Sequence, residues 1–200
     1  SYQQAWVFGA RFLLTRQVEQ LSTNGQHFLV QVDQVGEVRA RAVVVSTGGS
    51  YRRLGLTGLE QLIGNGVYYG TSVTAAQALS GLQVAVVGAG NTAGQAALHL
   101  ARYCSAVHVL VRGPDLGGSM SAYLVHAIEA HPVVKVHLNT EVVGGGGDGK
   151  LEYVVVHDRA TGHDEHLALE SLFVMIGARP RTDWLPPDVQ RDADGFVLTG

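Results

Sequence analysis

The chain has 200 residues, with 14 Lys and Arg against 17 Asp and Glu, a net charge of −3 and a single cysteine. The densest basic feature is Arg52-Arg53, which excludes the basic stripe of a nucleic-acid binder, and one cysteine excludes an internal disulfide, a CxxC redox pair and a four-cysteine zinc site. With 46% hydrophobic residues, 26 glycines and 5 prolines, the composition is that of a globular chain with ample core material.

Residues 10–46 read as three strand-like runs, 12–18, 27–32 and 37–45, separated by turn residues such as Asn24-Gly25, and no helix of ordinary length fits there. Residues 48–70 are rich in Gly, Ser and Thr with little periodicity. They suggest a connector between two packing units, with a boundary near Ser50. After Gly81 strands and helices alternate, as in a parallel sheet covered by helices. Residues 84–87 form a short apolar strand. In the helix expected over 91–103, Ala93, Ala96, Ala97, Leu100 and Cys104 share one face. Residues 107–111 read as the next buried strand. Ser119 can cap a helix reaching Glu129, and Pro132 ends it before a strand at 133–138. The runs 141–143, 151–157 and 166–169 suggest an antiparallel meander with turns at 144–149 and 160–164, and 172–176 returns to the parallel sheet. Residues 179–200, with three prolines, read as a further connector.

The most apolar long window, 82–101, contains Gln83, Asn91, Gln95 and His99, too many polar groups for a membrane span. Arg11 breaks the apolar stretch near the start that a signal peptide would need. A cytoplasmic location with no membrane partner is therefore expected. Because the chain opens at Ser1 without methionine and stops at Gly200 without a closing helix, it is expected to be a piece of something longer.

The sharpest motif is VAVVGAGNTAGQAA, from Val84 to Ala97. Gly88 suits the tight turn after the strand, Gly90 lets backbone approach a pyrophosphate, and Ala93 allows close packing of helix on strand. The helix starting at Asn91 and Thr92, after Ala89 and Gly90, would aim free N–H groups at that phosphate pair. A bare GxGxxA is weak. Its place between an apolar strand and an amphipathic helix makes it a dinucleotide site, the alternative being a glycine turn without a ligand. The next strand ends Leu110-Val111-Arg112-Gly113 with no carboxylate before Asp115. Arg112 thus favours the 2′-phosphate of NADPH over the free ribose hydroxyls of NADH, or is a solvated strand-end arginine.

From residue 40 onward the motifs ARAVVVSTGGSYRRL, GVYYGTSV, VAVVGAGNTAGQAALHLAR, VHVLVRG, LFVMIGARPRTDWL and GFVLTG resemble, in order, the middle of thioredoxin reductase-like FAD/NAD(P)-dependent pyridine nucleotide-disulfide oxidoreductases. The resemblance implies an α/β fold: a Rossmann-like parallel sheet with an antiparallel β-meander, flanked by two partial segments of a split FAD-binding domain. Residues 1–50 would end the first FAD half, 51–178 form the NAD(P)H-binding domain, and 179–200 begin the second FAD half. It implies NADPH at Gly88, Ala89, Gly90, Asn91, Thr92, Ala93, Arg112 and Gly113, with Ile176 and Gly177 closing over it, and FAD touching Thr47 and Gly48 in the full-length protein. Its expected partners are these dinucleotides, the remaining FAD-domain segments, a homodimer mate, and a regulatory domain or redox partner protein. This sequence departs from the family in three places. Gly70 and Val73 stand where the family has a CxxC pair, Gly113 follows Arg112 where a second arginine is usual, and Gln95 replaces an acidic residue.

Other features carry less. GGGGDGKL at 144–151 lacks the Ser or Thr of a phosphate loop and is followed by a strand pattern. Neither Gly48-Gly49-Ser50 nor Gly117-Gly118-Ser119 completes a nucleophile elbow. His126, Glu129 and His131 lack an HExxH spacing, and His157, His163 and His166 flank a turn, so no metal ligand is assigned. Tyr68-Tyr69 would pack at the connector or stack on a nicotinamide or flavin ring. No residue is assigned as catalytic. The expected function is the NADPH-binding portion of an FAD-dependent oxidoreductase, inactive by itself. The alternatives are a non-catalytic NAD(P)H-sensing module attached to a regulatory domain and a free-standing NADP dehydrogenase, which would lack a proton-transfer group.

Overall fold

A computed structural model describes residues 2–70 and 73–199, without the side chains of residues 73–75. Thr71, Ser72 and the side chain of Val73, which belong to the GVYYGTSV motif, therefore lie outside the described residues. The chain divides into two compact units, Ser1–Ser50 with Arg179–Gly200, and Tyr51–Ala178.

In the first unit a short helix α1 (Tyr2–Val7) precedes strands β1 (Val18–Thr23), β2 (Phe28–Val32) and β3 (Gly36–Ala40), which form an antiparallel sheet in that order. The first strand thus shares only Val18 with the expected run 12–18 and extends beyond it. The turn decides this: Asn24 Oδ1 accepts from the amides of Gln26 and His27 at 3.1 and 2.8 Å, and Gly25 takes φ +88°. That geometry sets Thr23 opposite Phe28, so the partner strand must run up to the turn. Leu21 and Val32 are buried on the resulting face while Leu13 and Leu14 stay exposed. The third strand ends at Ala40, short of the expected Val45. Strand β4 (Gly49–Tyr51) leads out of this unit.

The second unit begins with elements that the apparent connector concealed. Helix α2 (Thr57–Glu60) and strand β5 (Val67–Tyr69) are followed by a 3-10 helix, Val73–Leu79. Then come β6 (Gln83–Val87), α3 (Asn91–Leu100), β7 (Ala106–Leu110), α4 (Ala122–Glu129), β8 (Val134–His137), the meander β9 (Thr140–Gly146), β10 (Tyr153–Asp158) and β11 (His163–Ala168), and β12 (Ser171–Val174). Strand β13 (Ala178–Pro180) then pairs with β4. The sheet order is β5-β12-β6-β7-β8, all parallel. Its strands are apolar on both faces because both are covered. Val84 and Val86 pack with Ala93, Ala97, Leu100 and Ile128 on the helical side. Ala85 and Val87 pack with Val154, Val156, Leu167 and Leu59 beneath the meander and α2.

The meander runs β11-β10-β9, and Gly144–Gly146, expected in a turn, are part of β9, with a bulge opposite Val155 and Val156. The close approach of α2 explains Gly145: a Cβ on it would lie 2.6 Å from Leu59 Cδ2, and one on Gly58 would lie 2.6 Å from the Gly145 carbonyl oxygen. Among the described residues no helix is long and apolar enough to cross a membrane.

Candidate functional site

In open α/β sheets a ligand crevice forms outside the carboxyl ends of strands, where the strand order changes direction. Here the chain moves from β6 through β7 to β8 on one side and returns through the meander to β12 on the other. The switch point is therefore between β6 and β12. In-register pairing of Val87 with Val174 sets Gly88 beside Met175 and brings Ile176 and Gly177 to the same end of the sheet. The Met175 amide donates to the Val87 carbonyl at 2.8 Å, and the Gly88 amide donates to the Leu110 carbonyl at 3.1 Å. The turn is thus anchored on both flanks.

Gly88 has φ +144°, and a Cβ there would lie 2.5 Å from the Met175 carbonyl oxygen and 3.1 Å from Ala93 Cβ. Gly90 differs in kind. Its backbone is ordinary, φ −86° and ψ 175°, and a Cβ would meet nothing within 4 Å. The chain's own packing does not demand glycine at 90, whereas a ligand pressed against that backbone would. Gly90 also occupies the N-cap of α3 and supplies no capping side chain. The first bond of the helix is Gly94 N–H to the Gly90 carbonyl, at 3.1 Å, so the amides of Asn91, Thr92 and Ala93 precede the helical ladder. This ten-residue helix therefore offers three amides and the positive end of its dipole to an anion.

A second loop braces the turn, a feature the sequence reading missed. Ser119 Oγ donates to the Ala89 carbonyl at 2.9 Å, and Asn91 Oδ1 accepts from the Ser121 amide at 2.7 Å. Asp115 Oδ1 accepts from Gly118 N at 2.9 Å and folds the loop. Met120 packs over Gly94, where a Cβ would be 2.8 Å from its sulfur. Ser119 is consequently not the cap of the following helix: Ser121 occupies that position, without a side-chain cap bond, and α4 starts at Ala122. Two serines in the run Gly-Gly-Ser-Met-Ser were the available signal, and neither composition nor spacing distinguishes their roles.

Arg112 lies exposed just beyond β7, and the adjacent Gly113 carbonyl accepts from the Asn139 amide at 2.8 Å. Thr47 and Gly48 belong to the other unit. Thr47 Oγ1 donates to the Arg181 carbonyl at 2.8 Å, and Gly48, φ +60°, accepts from the Arg181 amide at 3.1 Å.

The tyrosine pair is committed to packing. Tyr68 stacks on Phe173 with ring centroids 5.2 Å apart. The Tyr69 hydroxyl donates to Glu60 Oε1 at 2.5 Å and accepts from Leu54 N at 3.1 Å, while Arg53 reaches Glu60 Oε2 at 2.9 Å. The Tyr69 bond, assisted by Arg53, holds the Glu60 carboxyl below its ordinary range, and burial with the Glu60 partner raises the Tyr69 phenol. Gly70, φ +79°, lies against the Tyr51 ring, whose Cζ would be 2.2 Å from an added Cβ. Cys104 is buried, and burial together with Glu170 raises its thiol pKa, so it is a packed side chain rather than a thiolate. Among the described residues no group of three or more His, Cys, Asp or Glu could hold a metal ion.

Comparison with known proteins gives a consistent result. Residues 4–199 match the family described as pyridine nucleotide-disulphide oxidoreductase. NADPH-dependent thioredoxin reductase 3 of Arabidopsis thaliana is 32% identical over 199 residues, covering 98% of this chain and 37% of that protein. A thioredoxin reductase of Neurospora crassa is 35% identical over 163 residues, covering 80% of this chain and 48% of that protein. The solved thioredoxin reductase of Giardia duodenalis superposes with a TM-score of 0.80 at 24% identity, covering 97% of this chain and 62% of that one. The chain spans less than half the length of the two curated relatives and under two thirds of the solved one.

Proposed function

Because the chain belongs to the pyridine nucleotide-disulphide oxidoreductase family, we propose that Tyr51–Ala178 is its NADPH-binding domain and that the flanking residues are parts of an FAD-binding domain in a longer thioredoxin reductase-like flavoprotein. The observation that carries this is the uncapped start of α3 at the switch point of the sheet, with open space at Gly90.

Gly88 and Gly90 hold the turn clear for the pyrophosphate, and the amides of Asn91, Thr92 and Ala93 donate to it. The Ala89 carbonyl, tied back by Ser119, is kept out of the phosphate's path. Arg112, with Gly113 leaving room beside it, pairs with the 2′-phosphate, and Ile176-Gly177 closes over the nucleotide. Thr47 and Gly48 contact the flavin nucleotide. When bound, NADPH would supply hydride chemistry, with the flavin of the longer protein as the acceptor. What the protein contributes is orientation and exclusion of water rather than an acid or base of its own.

The one cysteine of this chain is the buried Cys104, and Tyr51 fills the space where Gly70 would otherwise carry a thiol. A dithiol, where the parent's chemistry needs one, comes from elsewhere. The same observation favours a second reading, a nucleotide-sensing module that does not turn over, and flavin reduction by NADPH in the longer protein separates the two. The first test is calorimetric titration of the chain with NADPH and with NADH, repeated on Arg112→Ala. A preference for NADPH that vanishes in the variant supports the site. Failure of a folded chain to bind either nucleotide overturns it.

A further inference from the structure

We propose that Arg159, from the meander, is a second cation for the 2′-phosphate, acting with Arg112 as a specificity-determining pair drawn from two distant parts of the chain. This rests on the nucleotide-site reading above. The charge argument comes first. A phosphomonoester carries about −1.5 to −2 charges at pH 7, and one guanidinium balances only part of that. The strand end itself supplies no second cation, because Gly113 follows Arg112.

The fold supplies one. The Thr140 amide donates to the Val111 carbonyl, the Asn139 amide to the Gly113 carbonyl and the Arg159 amide to the Asn139 carbonyl, each at 2.8 Å. Asn139 makes the corner between β8 and β9 with φ +51°. These three backbone bonds seat the start of the β10–β11 turn against the end of β7, independently of any side chain. From there Arg159 Nη1 reaches the backbone carbonyl of Arg112 at 3.3 Å. A guanidinium has five N–H donors in a fixed fork, and this single long bond engages one of them.

The remaining charge is uncompensated. Among the described residues no carboxylate pairs with Arg112 or Arg159. The adjacent Asp158 is engaged within its own turn, its Oδ1 accepting from the amides of Ala160 and Thr161 at 2.8 and 3.2 Å. Two exposed arginines seated next to each other through the backbone, with no carboxylate partner, make a doubly positive patch that an anion would neutralise. Reduced nicotinamide nucleotide without the 2′-phosphate has nothing to place there, so the pair acts on specificity rather than on general affinity.

The test compares the wild-type protein with Arg159→Gln and Arg159→Lys, titrated with NADPH, NADH and 2′,5′-ADP, with thermal melting as the folding control. Gln removes the charge from a polar side chain and leaves the three backbone bonds that seat the turn in place. Arg159→Gln is expected to weaken NADPH and 2′,5′-ADP by about tenfold or more, the usual effect of a lost charge-assisted bond, and to leave NADH within about twofold. Lys should recover much of the loss. A wild-type preference for NADPH that Arg159→Gln leaves intact, or an equal loss for NADPH and NADH, overturns the proposal and leaves the nucleotide site standing. Wild-type protein that binds none of the three overturns the site as well. A readout without a variant is the Arg159 Nε–Hε NMR signal, which should shift on adding 2′,5′-ADP to wild type and stay fixed if the residue merely caps a carbonyl.

Discussion

Gly88 and Gly90 are two residues apart in one motif, and the structure assigns them different obligations. Replacing Gly88 by alanine forces a side chain into φ +144° and sets Cβ 2.5 Å from the carbonyl oxygen of Met175, a residue anchored by its amide bond to Val87. The backbone strain costs about 1–3 kcal/mol. Displacing packed atoms costs about 1–3 kcal/mol more. At about 2–4 °C per kcal/mol for a chain of this size, Gly88→Ala should melt roughly 10 °C below wild type. Gly90→Ala meets nothing within 4 Å at φ −86°, so its melting temperature should stay within about 2 °C of wild type while NADPH binding falls at least tenfold. Differential scanning calorimetry with and without NADPH measures both. Equal stability loss in the two variants would refute the claim that only Gly88 is required by the fold, and unchanged NADPH affinity in a stable Gly90→Ala would refute the claim that a ligand needs the space.

Three further outcomes follow from the same geometry. Tyr69→Phe leaves Leu54 N without its acceptor and Glu60 without its shortest partner, so the chain should lose about 2 kcal/mol in a denaturant titration. Asn91→Ala frees the Ser121 amide and should cost about 1 kcal/mol while increasing amide exchange in residues 117–121. The third concerns pH. His108, 7% exposed on β7, shares a hydrogen bond with His137 at 2.9 Å, and burial, then His137 and Lys135, push its pKa down to about 4. Burial also lowers His137, against an upward pull from Glu165. The unfolded chain therefore takes up protons between pH 6.5 and 4 that the folded chain refuses, so stability falls with pH across that window. From pH 6.5 to 5 the loss attributable to His108 is about 2 kcal/mol. The double variant His108→Leu with His137→Leu should flatten that slope, and an unchanged slope would place its origin elsewhere.

Periodicity exposed the second unit well because its signals are strong and local. The buried face Ala93, Ala96, Ala97, Leu100 and Cys104, and the strands on either side of α3, lie where 3.6-residue spacing and apolar runs put them. Elements whose existence depends on a partner were harder to see. Strand β5 is three residues long and exists because β12 pairs with it, and α2 is one turn that packs closely on Gly145 of β9. Residues 12–18 looked like a strand by composition, yet the Asn24-Gly25 turn fixes the register further along. At the site, the turn was legible from glycine spacing. Its bracing by Ser119 and Asn91, and the approach of Arg159 to Arg112, join residues 30 and 47 positions apart, and no local pattern records them.

The central claim is that the start of α3 is a nucleotide site, and the most direct measurement is a backbone amide NMR titration of the chain with NADPH. Saturable shifts should concentrate at Ala89 to Ala93, at Arg112-Gly113 and at Ile176-Gly177. Absence of shifts in a folded chain, or shifts gathered instead at the glycine-rich segment 144–149, would contradict it.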